Sequence, residues 1–256
     1  MPALRRRLSA SRPLKLLRIA YQFGRAAWLV ALRFPHLQQA QRLQEIQRWS
    51  QQMLGILQIE VASTPLPPSG FAGLVVSNHV SWLDILVLQS LLPGAFVAKT
   101  EVKRWPVVGY LAQACATIFV DRSSPRSARA MVADTAAAIR QGYAVVVFPE
   151  GTSSDGRAVG SFHANIFESA IQAQSQVLAL SLHYRDPGTG GAAEAAHFTG
   201  DMTLLSSIAR VTATSNIQAL VHLGDCLAAQ GHSRKSLALL AQQTIHAQLV
   251  SLAYAA

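Results

Sequence analysis

The chain has 256 residues, half of them apolar, so it suits one domain, or one domain with an appendage, and can bury a sizeable core. Its formal charge of +9 sits at one end: residues 1–50 hold ten Lys/Arg and one acidic residue, Glu45, whereas residues 51–256 hold twelve of each sign. Cys115 and Cys226 are too few and too far apart for a disulfide framework or a zinc site, which fits a reducing compartment.

The basic N-terminal segment has an apolar stretch, Leu14 to Phe34, interrupted by Lys15, Arg18, Arg25 and Arg33. A signal peptide needs an unbroken apolar run, and a spanning helix needs about 20 mostly apolar residues. A mid-helix arginine costs about 2.5–3.5 kcal/mol on insertion scales. The pattern therefore predicts an amphipathic helix lying in a membrane interface, with Leu16, Leu17, Tyr21, Trp28 and Leu32 on its apolar side. A solvated basic arm or a nucleic-acid contact is the competing reading; the Trp, Phe and Leu among the arginines favour lipid, where each basic residue adds about 1 kcal/mol near an anionic leaflet.

Leu37 to Leu57 reads as a helix, with Leu43, Ile46, Trp49, Met53 and Leu54 at helical spacing, and Ile56 to Ala62 as a first strand. The prolines and glycine of residues 63–70 mark a loop. Beyond it, strands are expected at Ala72–Ser77, Ala95–Lys99, Thr117–Asp121, Tyr143–Phe148, Val177–Tyr184 and Asn216–Leu223. Helices are expected at Trp82–Ser90, Val107–Ala114, Ser127–Gln141, Ala164–Gln174 and Arg234–Leu252, and a surface loop at Asp186–Ala196. This alternation predicts an α/β domain with a largely parallel central sheet flanked by helices, over residues 56–256, preceded by a basic helical membrane-interface segment over residues 1–55.

The stretch Leu74 to Leu88 organises the chain. An apolar strand breaks into Ser77-Asn78-His79 and closes on Trp82-Leu83-Asp84, so a histidine and an aspartate stand five residues apart across a strand-to-helix turn. Residues five apart within one helix do not share a face. With His79 in the turn and Asp84 in the first helical turn they can pair, because helical side chains lean back toward the N-terminus. A carboxylate on one imidazole nitrogen fixes the tautomer and leaves the other nitrogen to take a proton. Ser81-Trp82-Leu83-Asp84 also fits a capping box, in which Asp84 is only a helix cap. From this stretch both readings stand.

Ligands of open α/β sheets collect at the carboxyl ends of the strands. There the sequence places Asn78-His79, then Lys99, then Asp121-Arg122, then Pro149-Glu150-Gly151-Thr152-Ser153-Ser154. Arg122 and Lys99 suit an anionic group, one as a fork and one as a point charge. Backbone amides of Gly151 and Thr152 and the hydroxyls of Thr152 and Ser153 suit the same group. Glu150 would repel bare phosphate, so it orients Arg122, binds a substrate hydroxyl or plays a structural part. Taken singly, each residue also fits a surface ion pair or an ordinary turn.

Asn78-His79-Val80-Ser81-Trp82-Leu83-Asp84 matches the N-H-x-x-x-x-D motif of the glycerolipid acyltransferase family, and the group it most resembles is the bacterial 1-acylglycerol-3-phosphate acyltransferases. Gly109 to Arg122 resembles the family's second motif, which ends in a phosphate-binding arginine, and Phe148-Pro149-Glu150-Gly151-Thr152-Ser153 is similar to its third, F-P-E-G-T-x. The three come in family order and at family-like spacing over about residues 50 to 250. Two positions depart from the family pattern: Phe162-His163 stands where many members have Phe-Lys, and Ala179 where a proline is usual.

The resemblance implies transfer of a fatty acyl group from acyl-CoA or acyl carrier protein to the sn-2 hydroxyl of 1-acyl-glycerol-3-phosphate, with His79 as general base, Asp84 orienting it, and Arg122 with the Glu150-Gly151-Thr152 loop holding the glycerol phosphate; Lys99 joins the substrate-binding set by its charge and its place at a strand end. It implies no cofactor and no metal. The partners implied are a membrane lysolipid, the thioester donor and the membrane surface, with no nucleic acid, at the cytoplasmic face of a bacterial inner membrane. Rivals are another lysolipid acceptor, such as lyso-ornithine lipid, and a non-catalytic lipid-binding protein. A serine hydrolase is disfavoured because neither Ser81 nor Ser153 lies in a G-x-S-x-G elbow.

Overall fold

A computed structural model describes residues 11–65, 68–121 and 124–254. In chain order the elements are α1 (Arg12–Leu32), α2 (Gln39–Leu57), β1 (Ile59–Thr64), β2 (Gly73–Ser77), α3 (Leu83–Leu91), β3 (Ala95–Lys99), α4 (Val108–Ala114) and β4 (Ile118–Val120). They continue with α5 (Pro125–Arg140), β5 (Ala144–Val147), α6 (Glu168–Gln172), β6 (Gln176–Arg185), α7 (Leu204–Ala213), β7 (Ile217–Ala228) and α8 (Arg234–Tyr254).

The strands form one seven-stranded sheet in the order β1-β7-β6-β2-β5-β3-β4. β2 pairs in parallel with β5 and β6, and β3 in parallel with β5 and β4. β7 runs antiparallel to β6 and parallel to β1, so the edge pair points the other way. The alternation of a strand divides the core in two. Val75, Val146, Leu178 and Leu180 pack with Leu83 and Val87 of α3 and Met53 and Leu57 of α2. Leu74, Val76, Val145 and Val177 face the other way, onto Phe167, Ala170 and Leu237, Ala241 and Ile245 of α8. Cover on both faces explains why β2 and β5 are unbroken apolar runs.

The sheet agrees with the sequence reading in class, with three differences in detail. The expected helix Ala164–Gln174 splits into a 3-10 turn, Ala164–Phe167, and the short α6. There the Ser169 hydroxyl donates to the Ile166 carbonyl at 2.6 Å and competes with the helical ladder. Helix α7 was not foreseen: Ser206, Ser207 and Thr212 weaken its intrinsic propensity, and it is started by Thr203, whose side chain accepts from the Ser206 N–H. The reversal at β7 is invisible to an apolar pattern, which carries no strand direction.

Helix α1 has apolar residues on two sides. Ile19, Ala26 and Leu29 are buried, and the Phe23 ring meets Trp49 of α2 edge-on at 5.7 Å. Leu16, Leu17, Tyr21, Trp28 and Leu32, the side expected to meet lipid, are all exposed. Among the described residues no helix is long and apolar enough to cross a membrane.

Candidate active site

The turn between β2 and α3 carries the motif. Asn78, wholly buried, extends the β2–β6 pairing by one side chain: its amide donates to the Leu182 carbonyl at 2.9 Å and accepts from the Leu182 N–H at 2.8 Å. The next residue, His79, therefore leaves the sheet at a fixed point. Its Nδ1 lies 2.7 Å from Asp84 Oδ2. Asp84 is fully buried in the first turn of α3. The same Oδ2 accepts from the N–H groups of Val80, at 2.7 Å, and Ser81, at 3.0 Å, while Oδ1 accepts from the Tyr184 hydroxyl at 2.8 Å.

The two readings of Asp84 thus hold together. The carboxylate caps the turn from the helix side and grips the imidazole with the same oxygen. The serine half of the capping box is not made: Ser81 Oγ is buried and finds no partner among the described residues. Four donors on a buried carboxylate satisfy its charge. With Nδ1–H committed to Asp84, the lone pair of the neutral imidazole is on Nε2. The ring stacks on Phe148, 4.0 Å between centroids and 12° between planes, and its side chain is 22% exposed. One face is thereby covered while the ring stays open to the rim.

Glu150 holds this loop by its backbone. Its Oε1 accepts from the His79 N–H at 2.9 Å and its Oε2 from the Gly160 N–H at 2.8 Å. Burial pushes the Glu150 carboxyl up, and those two N–H donors pull it partly back. A Cβ on Gly160 would fall 2.8 Å from Oε2, so a side chain there would push the carboxylate aside. The His79 carbonyl accepts from the Ser154 N–H at 2.8 Å, and the Val80 carbonyl from the Phe198 N–H at 3.0 Å. The Ser153 hydroxyl closes the ring of contacts by donating to the Phe198 carbonyl.

Lys99, Gly151 and Thr152 lie at the carboxyl ends of β3 and β5. Lys99 ends β3 and is exposed, and Thr152 is exposed in the loop after β5. The Gly151 N–H donates to the Phe148 carbonyl at 3.0 Å and closes that turn. Arg122, which follows β4 in sequence, lies outside the described residues. Of the two departures from the motif pattern, Ala179 is buried in β6 and His163 donates its N–H to the Pro149 carbonyl at 3.0 Å. The Cys115 thiol is pushed up to about 12 by burial and stays protonated, a poor nucleophile. Among the described residues no group of three or more His, Cys, Asp or Glu could hold a metal ion.

Three residues had no role in the sequence reading. Tyr184 left a signal: a tyrosine in a strand this apolar must find a partner for its hydroxyl. Phe148 belongs to the third motif, but only the fold lays it under the histidine. Phe198 is distant in sequence, and nothing local marks it.

The Acyltransferase family matches residues 58–183, which span the motifs that carry His79, Asp84 and Glu150. Lyso-ornithine lipid O-acyltransferase of Pseudomonas aeruginosa is 34% identical over 254 residues, covering 97% of this chain and 95% of its own. The 1-acyl-sn-glycerol-3-phosphate acyltransferase of Neisseria gonorrhoeae is 39% identical over 122 residues, 48% of each chain. The crystal structure of the 1-acyl-sn-glycerophosphate acyltransferase PlsC from Thermotoga maritima shares the fold, with a TM-score of 0.65 at 20% identity over 94% of this chain and 98% of that one. On a match that runs nearly end to end, the chain belongs to the acyltransferase family and is an O-acyltransferase.

Proposed function

We propose that the chain acylates the free hydroxyl of a membrane lysolipid, taking the acyl group from acyl-CoA or acyl carrier protein, and that the acceptor is lysophosphatidic acid, with phosphatidic acid as product. The observation that carries the reading is the 2.7 Å contact between His79 Nδ1 and the buried Asp84, on a ring whose other nitrogen is left for the acceptor. His79 Nε2 takes the proton as the acceptor oxygen attacks the thioester carbonyl carbon. The C–O bond forms, the C–S bond breaks, and the imidazolium returns the proton to the departing thiolate. Asp84 stabilises the imidazolium in between. A positioned general base is worth about 10²–10⁴-fold. The hydroxyl attacks directly, so no acyl-enzyme and no cofactor enter the scheme.

In this scheme Arg122 and Lys99 hold the acceptor's anion with Thr152, Gly151 shapes the turn through its bond to Phe148, and Glu150 serves chiefly to place His79. In the same scheme the exposed side of α1 rests in the membrane interface and the protein works as a peripheral enzyme at the cytoplasmic face, the side that acyl-CoA and acyl carrier protein would reach. Lyso-ornithine lipid is the second reading, favoured by the near full-length match to the Pseudomonas protein, where the Neisseria match covers about half. An anion-binding rim suits the carboxylate of an amino-acid headgroup as well as a phosphate. Acyl transfer from labelled acyl-CoA to each lysolipid, with His79→Ala alongside, tests both. Phosphatidic acid from the native chain alone supports the first reading. Product only from lyso-ornithine lipid replaces it with the second, and equal turnover by His79→Ala refutes the mechanism.

A further inference from the structure

Between β3 and α4 the chain makes a 3-10 turn, Thr100–Arg104, and then a tip, Lys103-Arg104-Trp105-Pro106-Val107, in which every residue is exposed. This tip is built, not slack. The Trp105 N–H donates to the Val102 carbonyl at 3.1 Å and the Gly109 N–H to the Trp105 carbonyl at 2.9 Å. A Cβ on Gly109 would fall 2.2 Å from the Lys103 carbonyl oxygen, so only glycine lets α4 start this close. Val107 has φ 62° and ψ −54°, and the Val108 N–H donates to the Pro106 carbonyl at 2.6 Å across it. That is the γ-turn of the strained sign, rare for any residue and rarer for a β-branched one.

The strain yields an unusual display: Trp105, Val107 and Tyr110 stand 40–46% exposed beside Lys103 and Arg104. Water gives no reason to hold apolar side chains outward on a strained, closely tied turn. A bilayer surface does: tryptophan and tyrosine settle at the headgroup level, valine reaches deeper, and the two cations meet anionic lipid. The position fits as well. The tip leaves the carboxyl end of β3, at the same sheet edge as His79 and two strands from β2, and α4 packs against α1, the helix that carries the exposed Leu16, Leu17, Tyr21, Trp28 and Leu32.

We propose that this tip is a second membrane pad, which seats the catalytic edge on an anionic phospholipid bilayer where a lysolipid would enter. The inference rests on the reading that the acceptor is a membrane lipid. A soluble acidic protein could answer the cations but not the Trp-Val-Tyr cluster, which is why the bilayer is the occupant argued here.

The test is co-flotation of the full chain with phosphatidylcholine vesicles, with and without phosphatidylglycerol, alongside turnover of a short-chain, water-soluble acceptor. Arg104→Gln should weaken partition about fivefold on the anionic vesicles and leave the neutral ones unchanged. Trp105→Ser should weaken it roughly tenfold on both. Val107→Gly removes an apolar contact and also the strain, so it should lower partition while the melting temperature stays level or rises. Partition of Trp105→Ser and Val107→Gly within twofold of native would overturn the proposal. So would weakened binding only to an acidic soluble protein. Partition is read without any acyl transfer, so failure of the acceptor assignment leaves a separate signature: binding lost as stated, with neither lysolipid acylated.

Discussion

Tyr184→Phe removes one oxygen from the interior and leaves the ring in place. The hydroxyl is the only donor that Asp84 Oδ1 has among the described residues, and both groups are buried. A hydrogen bond to a charged group contributes about 1.5–3 kcal/mol. The variant should therefore lose about 2 kcal/mol of stability, which lowers the melting temperature by about 4–8 °C in a chain of this size. Activity should suffer separately. Freed at Oδ1, the carboxylate can turn on its three remaining donors, and kcat should fall about tenfold, or 1.4 kcal/mol. The less neutralised carboxylate also attracts the imidazolium more strongly, so the acidic limb of kcat/KM should move to higher pH. A third signature lies in base. Burial, with the Asp84 charge beside it, raises the Tyr184 pKa well above its ordinary value, so the folded chain keeps a proton that the unfolded chain releases near pH 10. Stability from this group is full below that pH and falls by about 1.4 kcal/mol per unit above it. Tyr184→Phe should flatten the alkaline loss. Unfolding scans between pH 7 and 11, with a pH–rate profile on the same preparations, measure all three. A lower melting temperature with an unmoved kcat and acidic limb would reduce Tyr184 to a packing residue and refute the argument for its part in orienting the base.

Asn78→Ala should leave both the N–H and the carbonyl of Leu182 without their side-chain partner, and should cost about 3 kcal/mol or more by urea unfolding, with activity lost in proportion to unfolding. Glu150→Gln keeps one acceptor oxygen for the His79 N–H but sets an amide against the Gly160 N–H; kcat should drop about tenfold with little change in KM, read from initial rates. An unchanged kcat, with KM raised, would move Glu150 to the substrate. Arg122→Gln should raise KM for lysophosphatidic acid roughly 10- to 100-fold and leave the acidic limb where it is, which a pH series at saturating acceptor would show.

The sequence could be read for whatever a local pattern encodes. Unbroken Val/Leu runs betray strands covered on both faces, and Leu74–Val76 and Val145–Val147 are both buried so. The five-residue step from His79 to Asp84 is compatible with contact only across a turn, and the two do meet there. What a local pattern lacks is direction and distance. The antiparallel β7 reads like any other strand. Glu150 carried three open roles because its partners, the amides of His79 and Gly160, are backbone atoms brought together by tertiary folding and have no side-chain signature. Tyr184 lies 100 residues from Asp84, and only the register of β6 beside β2 brings them together.

The contacts around His79 divide the labour of the site. Its loop is tied to β6 through Asn78, to the loop after β5 through Glu150 and Ser154, and to the segment before α7 through Phe198. Each tie falls on backbone or on the half-buried Glu150 carboxylate, and none uses Lys99 or Thr152, which are exposed. General-base catalysis gains from a base held in one place, because a displacement of about 1 Å can cost 10²-fold. Acceptor choice gains from groups that can change without moving that base. In the proposed scheme Lys99, exposed at the end of β3, serves the second need, and the network around His79 and Asp84 serves the first. Substitutions along the rim should therefore alter which lysolipid is acylated through KM, while substitutions at Tyr184, Asn78 or Glu150 should slow every acceptor alike. A rim variant that shifted the acidic limb for all acceptors would show that the two networks are one.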